Sequence, residues 1–432
     1  MTMITWVMSS LALASSAVIA QDISGDWQGT VKTGDRETGR YRYLLHIVED
    51  NNGAWSGTVR TIDQRVDWGG TRPLKSLSLH GSDLQFSVED PDGRYEGKLS
   101  PDWTSIAGTW KQGPSPQQLE FLRPTKDTAW RDDPRHTAQL INVDKGVNLE
   151  VLDWGGSGRP LVLLTGLGNS AHIFDQFAPK LSGTYHVYGI SRRGFGASST
   201  PESGYTADRL GDDVLAVLDA LKVSRPVIAA HSIGGEELSS IGSRHPERVS
   251  GLIYLDAGYP YALYDRSRGD FTIDRKELQA QLDQMAPGKM PSDPRPLIHD
   301  LLETTLPAIE KELREMQKNL ADDPPPSAGP PPRPQFAPAA IISGEQKYTE
   351  IKAPILAIFA LPHSTTTAVR GDPTKLAEYE AREEAFTGAQ AKAFEALPGA
   401  RVVRLPFASH YVFFSNEADV LREMNAFIAR LP

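Results

Sequence analysis

The sequence predicts a chain in two parts: an all-β, barrel-like module followed by an α/β domain whose sheet is mostly parallel. Three observations carry this expectation. Between residues 22 and 124, short alternating runs such as Tyr43-Leu-Leu-His-Ile-Val48 and Leu84-Gln-Phe-Ser-Val88 are separated by turn signals at Asn51-Asn-Gly53, Gly81-Ser-Asp83 and Pro91-Asp-Gly93. From residue 137 onward, continuous apolar runs alternate with helix-compatible segments, which is how βαβ units are written. A polar stretch containing Pro124 and Pro134 lies between the two patterns and reads as a linker over 125–136.

Within the first part (21–124) a weak repeat recurs. Gly25-Asp-Trp-Gln-Gly-Thr-Val31 resembles Gly53-Ala-Trp-Ser-Gly-Thr-Val59 and Gly93-Arg-Tyr-Glu-Gly-Lys-Leu99, with Ala107-Gly-Thr-Trp110 as a looser copy. An aromatic beside each glycine on about eight short strands suggests a small antiparallel barrel or sandwich. It resembles the lipocalin-like modules that some secreted bacterial enzymes carry ahead of a catalytic domain. Its aromatics are expected to fill a core rather than line a ligand pocket.

In the second part a hairpin is expected over Gln139–Val143 and Val147–Asp153. Strands follow at Pro160–Thr165, His186–Ile190, 226–230, 250–255, Pro354–Phe359 and Arg401–Leu405. A helix is expected with Leu210, Val214, Val217, Leu218 and Leu221 on one face, leaving Asp212, Asp213 and Asp219 elsewhere. Residues 259–350 interrupt the alternation and read as a cap inserted between the two halves of the core, 137–258 and 351–432. Within it, Asp322 to Pro338 is so rich in proline that helix is excluded there.

Composition narrows the function. A net charge of −10 argues against a nucleic-acid partner. The absence of cysteine excludes disulfides, thiolate catalysis and cysteine metal sites, and no metal or cofactor is expected. Trp6 to Ala20 is uncharged and rich in small apolar residues, with Val18 and Ala20 fitting a cleavage site before Gln21. Residues 1–20 are therefore expected to be a signal peptide, which places the protein outside the cell or in the periplasm. No other stretch reaches the roughly 18 apolar residues of a membrane helix. The oligomeric state is not readable.

The chemistry is expected around Ser232. A short apolar run leads into Ala230-His231-Ser232-Ile233-Gly234, and a helix-compatible segment follows, the strand–turn–helix setting that exposes a nucleophilic serine. Small residues are needed two before and two after the serine because the turn brings them together. A serine needs an imidazole to take its proton. Of ten histidines, His410 is the best placed, in the loop after the last strand. His231 is expected to pack or orient, and His172 and His363 could line the pocket. One oxyanion-hole N–H is expected from Ile233 and the other from the glycine loop Thr165-Gly-Leu-Gly168, at Leu167.

Taken together, Thr165-Gly-Leu-Gly, Arg192-Arg-Gly-Phe-Gly196, Ala230-His-Ser-Ile-Gly-Gly235, Leu255-Asp-Ala257 and Ser409-His410 resemble the α/β-hydrolase superfamily in order and spacing. The resemblance covers about 137–258 and 351–432. In most of that family the triad acid follows the strand corresponding to 354–360, where this chain has no carboxylate. A minority, pancreatic-type lipases among them, place it after the preceding strand. Asp256 occupies that place, with Asp372 as the alternative. The resemblance implies hydrolysis of small carboxylic esters through an acyl-enzyme, with lactones, including acyl-homoserine lactones, as the runner-up. Carbon–carbon hydrolysis, small-peptide cleavage and a non-catalytic binding protein stand behind these.

Overall fold

The structure, a computed structural model, describes residues 22–31, 41–50, 52–61, 72–89, 93–111, 116–125, 136–322 and 336–432. The expected signal peptide, residues 126–135 of the expected linker and 323–335 of the proline-rich stretch lie outside the described residues.

Nine strands make the N-terminal sheet: β1 (Gly25–Val31), β2 (Tyr41–Glu49), β3 (Trp55–Thr61), β4 (Arg72–Pro73), β5 (Ser76–His80), β6 (Asp83–Val88), β7 (Gly93–Leu99), β8 (Ser105–Lys111) and β9 (Gln117–Leu122). Their order is β4-β3-β2-β1-β9-β8-β7-β6-β5, antiparallel and nearly closed into a barrel. Alternate side chains face inward, so β6 buries Leu84, Phe86 and Val88 and exposes Asp83 and Gln85. Trp27, Tyr95, Trp110 and Phe121 all belong to this one core. The glycines of the repeat now have a reason. Gly97 and Gly108 pair across β7 and β8, and the Tyr95 ring lies over both. A Cβ at Gly97 would stand 2.6 Å from that ring, and one at Gly108 2.7 Å. The Tyr95 hydroxyl pays its way by donating to the carbonyls of Ile106 and Leu119 at 2.8 and 3.0 Å.

The second sheet contains β10 (Thr137–Asp144), β11 (Val147–Gly155), β12 (Pro160–Leu164), β13 (His186–Ile190), β14 (Val227–His231), β15 (Gly251–Leu255), β16 (Ile355–Ala360) and β17 (Arg401–Leu405). Its order is β10-β11-β13-β12-β14-β15-β16-β17. The first two pairings are antiparallel and all the others parallel. The central strands are apolar throughout because both faces are covered. On β14, Ile228 and Ala230 enter one core, and Val227 and Ala229 the other. The order reverses at β12, so the carboxyl ends of β12, β14 and β15 border the crevice where such sheets bind ligands.

The helix Ala207–Leu221 follows the expected face. Asp213 is buried: it receives two hydrogen bonds from the Arg193 guanidinium, at 2.6 and 2.7 Å. Between β15 and β16 lie the helices Phe271–Gln284, Arg295–Asp300, Leu306–Asp322 and Phe336–Gly344. The last of these overturns the exclusion of helix up to Pro338. Pro338 sits in the first turn, where its missing N–H has no partner to lose. That helix buries Ala337 and Ile341 against Phe195, Tyr205 and Ile233, with Leu167 packed on the same cluster. The insertion thus reaches the rim of the crevice.

Candidate active site

β14 ends at His231, and the chain turns through Ser232 into the helix Gly235–Arg244. Ser232 has φ +52°. For a residue with a Cβ this left-handed backbone costs on the order of 1–3 kcal/mol, and it lifts the hydroxyl off the strand end. A Cβ at Gly234 would lie 3.0 Å from that of Ala230, so alanine at 230 is tolerated because glycine stands opposite. A Cβ at Gly235 would lie 2.0 Å from the Ala257 carbonyl, closing the turn to anything larger.

The loop after β12 packs on this turn. A Cβ at Gly166 would stand 3.1 Å from that of Ser232 and 2.7 Å from His231 Nδ1. Arg192, buried, holds the loop in place. Its guanidinium makes a two-pronged pair with Glu237 at 2.6 and 2.7 Å and donates to the Thr165 carbonyl at 2.9 Å. The loop and the helix after Ser232 are thereby fixed to one cation. Leu167 and Ile233 lie in one apolar cluster at this junction.

β14 and β15 are parallel neighbours, with His231 opposite Leu255. Ser232 and Asp256 therefore leave adjacent strands at the same level. Asp256 is wholly buried and shares the left-handed backbone, φ +47°. Its Oδ1 accepts from the Ala360 N–H at 2.9 Å. Its Oδ2 meets His410 Nδ1 at 2.7 Å, His363 Nε2 at 2.8 Å and the Tyr259 hydroxyl at 3.1 Å. Asp372, the alternative acid, is elsewhere: it caps the helix Pro373–Glu383 by accepting from the N–H groups of Thr374 and Lys375.

His410 is anchored from behind as well. His231 Nε2 lies 3.0 Å from the His410 carbonyl, and the two rings stand 4.6 Å apart. Burial, with a further push from His410, holds His231 down to about 3, so it is neutral and orients its neighbour. Burial alone would raise the Asp256 carboxyl, but the hydrogen bonds from His363 and His410 outweigh it and hold it at about 2.

His363 has a larger part here than lining a pocket. It follows β16, and its Nδ1 meets Glu383 Oε2 at 2.6 Å while its Nε2 faces Asp256. Burial would favour the neutral ring, yet the two carboxylates raise it to about 9. Sequence reading found the histidine but not its partners, because Glu383 lies twenty residues away on a surface-patterned helix. Tyr261 was also missed. Its buried hydroxyl shares a hydrogen bond with Ser232, and burial raises it far above the usual range. The Asp256, His363 and His410 donor atoms lie within 4.8 Å of one another, but direct hydrogen bonds already join them. His172 is placed in a separate cluster with Glu150, Asp175 and His136.

A nucleophile-type elbow, a glycine loop packed on it and a histidine–aspartate pair at adjacent strand ends agree with the family comparison. Residues 159–346 match the model described as the alpha/beta hydrolase fold. Those residues carry an alpha/beta hydrolase fold. A 2-(acetamidomethylene)succinate hydrolase from Mesorhizobium japonicum is 24% identical over 282 residues, 63% of this chain and 89% of that one. A non-heme chloroperoxidase from Streptomyces lividans is 30% identical over 154 residues, 32% of this chain and 56% of that one. A solved structure of E-2-(acetamidomethylene)succinate hydrolase aligns at 18% identity with a TM-score of 0.41, covering 68% of this chain and 99% of that one. Of the relatives above 30% identity, this chain spans between 37% and 58% of their length. These relatives support a hydrolase. Among the described residues, no helix is long and apolar enough to cross a membrane.

Proposed function

We propose that the protein hydrolyses carboxylic esters of small molecules through an acyl-enzyme, with Ser232, His410 and Asp256 as the triad. The observation that carries this is the 2.7 Å contact between Asp256 Oδ2 and His410 Nδ1, made beside a serine held at φ +52° on the neighbouring strand end. Ser232 attacks the carbonyl carbon and its proton passes to His410. Asp256 fixes the imidazole tautomer and stabilises the imidazolium. The N–H groups of Ile233 and Leu167 receive the oxyanion. The alkoxide leaves with the proton from His410, and water then attacks the acyl carbonyl by the same path in reverse. Tyr261, bonded to Ser232, positions the hydroxyl before attack.

Turnover of p-nitrophenyl acetate and butyrate tests this reading. Ser232→Ala is expected to fall by about 10⁶ in kcat. A folded Ser232→Ala protein with undiminished turnover refutes the mechanism. Lactones need the same machinery, and a matched panel of esters and lactones separates the two substrate classes. The unit boundaries at 124, 136, 258 and 350, and export directed by residues 1–20, belong to the same proposal. Cell fractionation with and without 1–20 tests the export.

A further inference from the structure

Away from Ser232, a second constellation joins the residue ahead of β10 to the turn after the glycine loop. His136 precedes β10, while His172 and Asp175 belong to the 3₁₀ turn Ala171–Phe174 and the position after it. The His136 side chain is wholly buried, and neither ring nitrogen has a hydrogen-bond partner. Asp175 Oδ1, also buried, lacks one too. Leaving such groups unpaired in a protein interior is costly, so each one asks for an explanation.

The spacings suggest one. His136 Nε2 lies 3.4 Å from Asp175 Oδ1, and His172 Nδ1 lies 3.3 Å from Asp175 Oδ2. These are long for charge-assisted hydrogen bonds, which run at about 2.7–2.9 Å. The first matches a ligand-to-ligand edge around a tetrahedral ion, where bonds of about 2.0–2.1 Å give edges of about 3.3–3.4 Å. Donor atoms of all three residues fall within 4.8 Å of one another. The far nitrogen of His172 faces Glu150 Oε1 at 3.5 Å, and Glu150 is itself held by the Ser191 hydroxyl at 2.6 Å. A carboxylate behind a ligating imidazole is the usual means of fixing its orientation.

We propose that His136 Nε2, His172 Nδ1 and the Asp175 carboxylate bind a divalent ion of the zinc class, with Glu150 orienting His172. Two imidazoles and one carboxylate suit zinc better than calcium or magnesium, which take oxygen ligands. Arg42, reaching from β2, brings Nη2 to 3.7 Å from Asp175 Oδ2 and is the cation already present on that carboxylate. The ion therefore has to share Asp175 with it, leaving Oδ1 as the free oxygen. Bound there, it pins the entry to β10 against the turn that follows the glycine loop.

The test uses the full chain, stripped with chelator and dialysed against zinc chloride, with metal content, calorimetric titration and the thermal transition as readouts. Expected are one equivalent per chain, a transition that rises with zinc, and a tetrahedral visible spectrum when cobalt(II) replaces zinc. His136→Gln and Asp175→Asn are expected to lose the equivalent, and His363→Gln, which alters the other histidine cluster, to keep it. Identical thermal transitions of the wild type in zinc and in chelator, with no bound equivalent, overturn the proposal. So does binding that survives His136→Gln and disappears in His363→Gln. The wild-type measurements decide the matter even where a variant fails to fold.

Discussion

Replacing His363 by glutamine removes a positive charge from the neighbourhood of the base while keeping an amide able to face Asp256. The His363 and His410 ring centroids are 6.3 Å apart. Two unit charges at that distance repel by about 2.6 kcal/mol at an effective dielectric of 20, and by about 0.7 kcal/mol in water. Because the His410 side chain is 38% exposed, the true value lies between these. The acid limb of kcat/KM, which reports protonation of the free enzyme's base, is therefore expected to move up by about 0.5–2 pH units in His363→Gln. The wild type is expected to carry a second signature. His363 stays charged until the pH approaches about 9. Its deprotonation removes a cation that opposes the imidazolium formed on His410, so kcat is expected to rise again there, and the variant to lack that second rise. Initial rates with a p-nitrophenyl ester over pH 5–9.5, corrected for spontaneous hydrolysis, read both features. An acid limb that stays put in a folded His363→Gln protein refutes the idea that this ring carries its charge beside Asp256.

The same pair sets a stability window. His363 is raised from 6.5 to about 9, so its contribution is fully present below 6.5 and is lost as the pH climbs through 9. It amounts to at most about 3 kcal/mol, reduced by the 21% exposure of the ring, and urea melts of wild type and His363→Gln should converge by pH 9.5. Asp256→Asn is expected to lower kcat by about 10⁴, as loss of the orienting acid does elsewhere, whereas Asp372→Asn keeps an oxygen that caps the helix and should change neither kcat nor the thermal melt appreciably. Activity lost in the second variant and kept in the first reverses the assignment. Arg193→Ala leaves the buried Asp213 with Arg209, at 2.8 Å, as its remaining cation, so a loss of about 1–3 kcal/mol is expected in denaturant titrations. Glu236 is wholly buried without a partner, and burial, followed by the neighbouring Glu237, raises its carboxyl well above the usual range. Such a group favours folding when protonated and opposes it as the pH rises. Glu236→Gln is therefore expected to melt higher than wild type at pH 8, with the gap closing toward pH 4.

What could be read from the sequence depended on how local its cause was. The parallel sheet was legible because strands covered on both faces are apolar without interruption, as in Val227–Ala230 and Leu252–Leu255. The elbow was legible because a tight turn restricts residues two positions apart, and Ala230 and Gly234 sit within that reach. The buried charges were not. Asp213 has no local mark separating it from Asp212 beside it, and it is Arg193, arriving from the loop after β13, that together with Arg209 pairs it in the interior. Glu383 likewise has no local mark separating it from Glu380 or Glu384, and its distinction is that the turn after β16 brings His363 to it. The helix at Phe336 was misjudged for the opposite reason: a run of prolines speaks for its interior and says little about a helix starting at its edge, where proline is tolerated.

The place of Asp256, the proposed triad acid, shows how strand register can substitute for a motif. The Asp256 N–H bonds the Ile358 carbonyl at 2.7 Å, and its Oδ1 accepts from Ala360, so both its backbone and one carboxylate oxygen continue the ladder toward β16. This leaves Oδ2 as the single oxygen facing the crevice. With Asp256 delivered from β15, the proposed triad needs no carboxylate at the end of β16, which carries His363 instead. One buried oxygen then receives three partners, His410, His363 backed by Glu383, and the Tyr259 hydroxyl. A carboxylate bonded in this way is held more rigidly than one with a single imidazole, but it also divides its charge between two rings. The arrangement therefore exchanges part of the stabilisation of the His410 imidazolium for a fixed geometry at the base. That exchange is why the charge on His363, rather than its bulk, should govern the pH dependence.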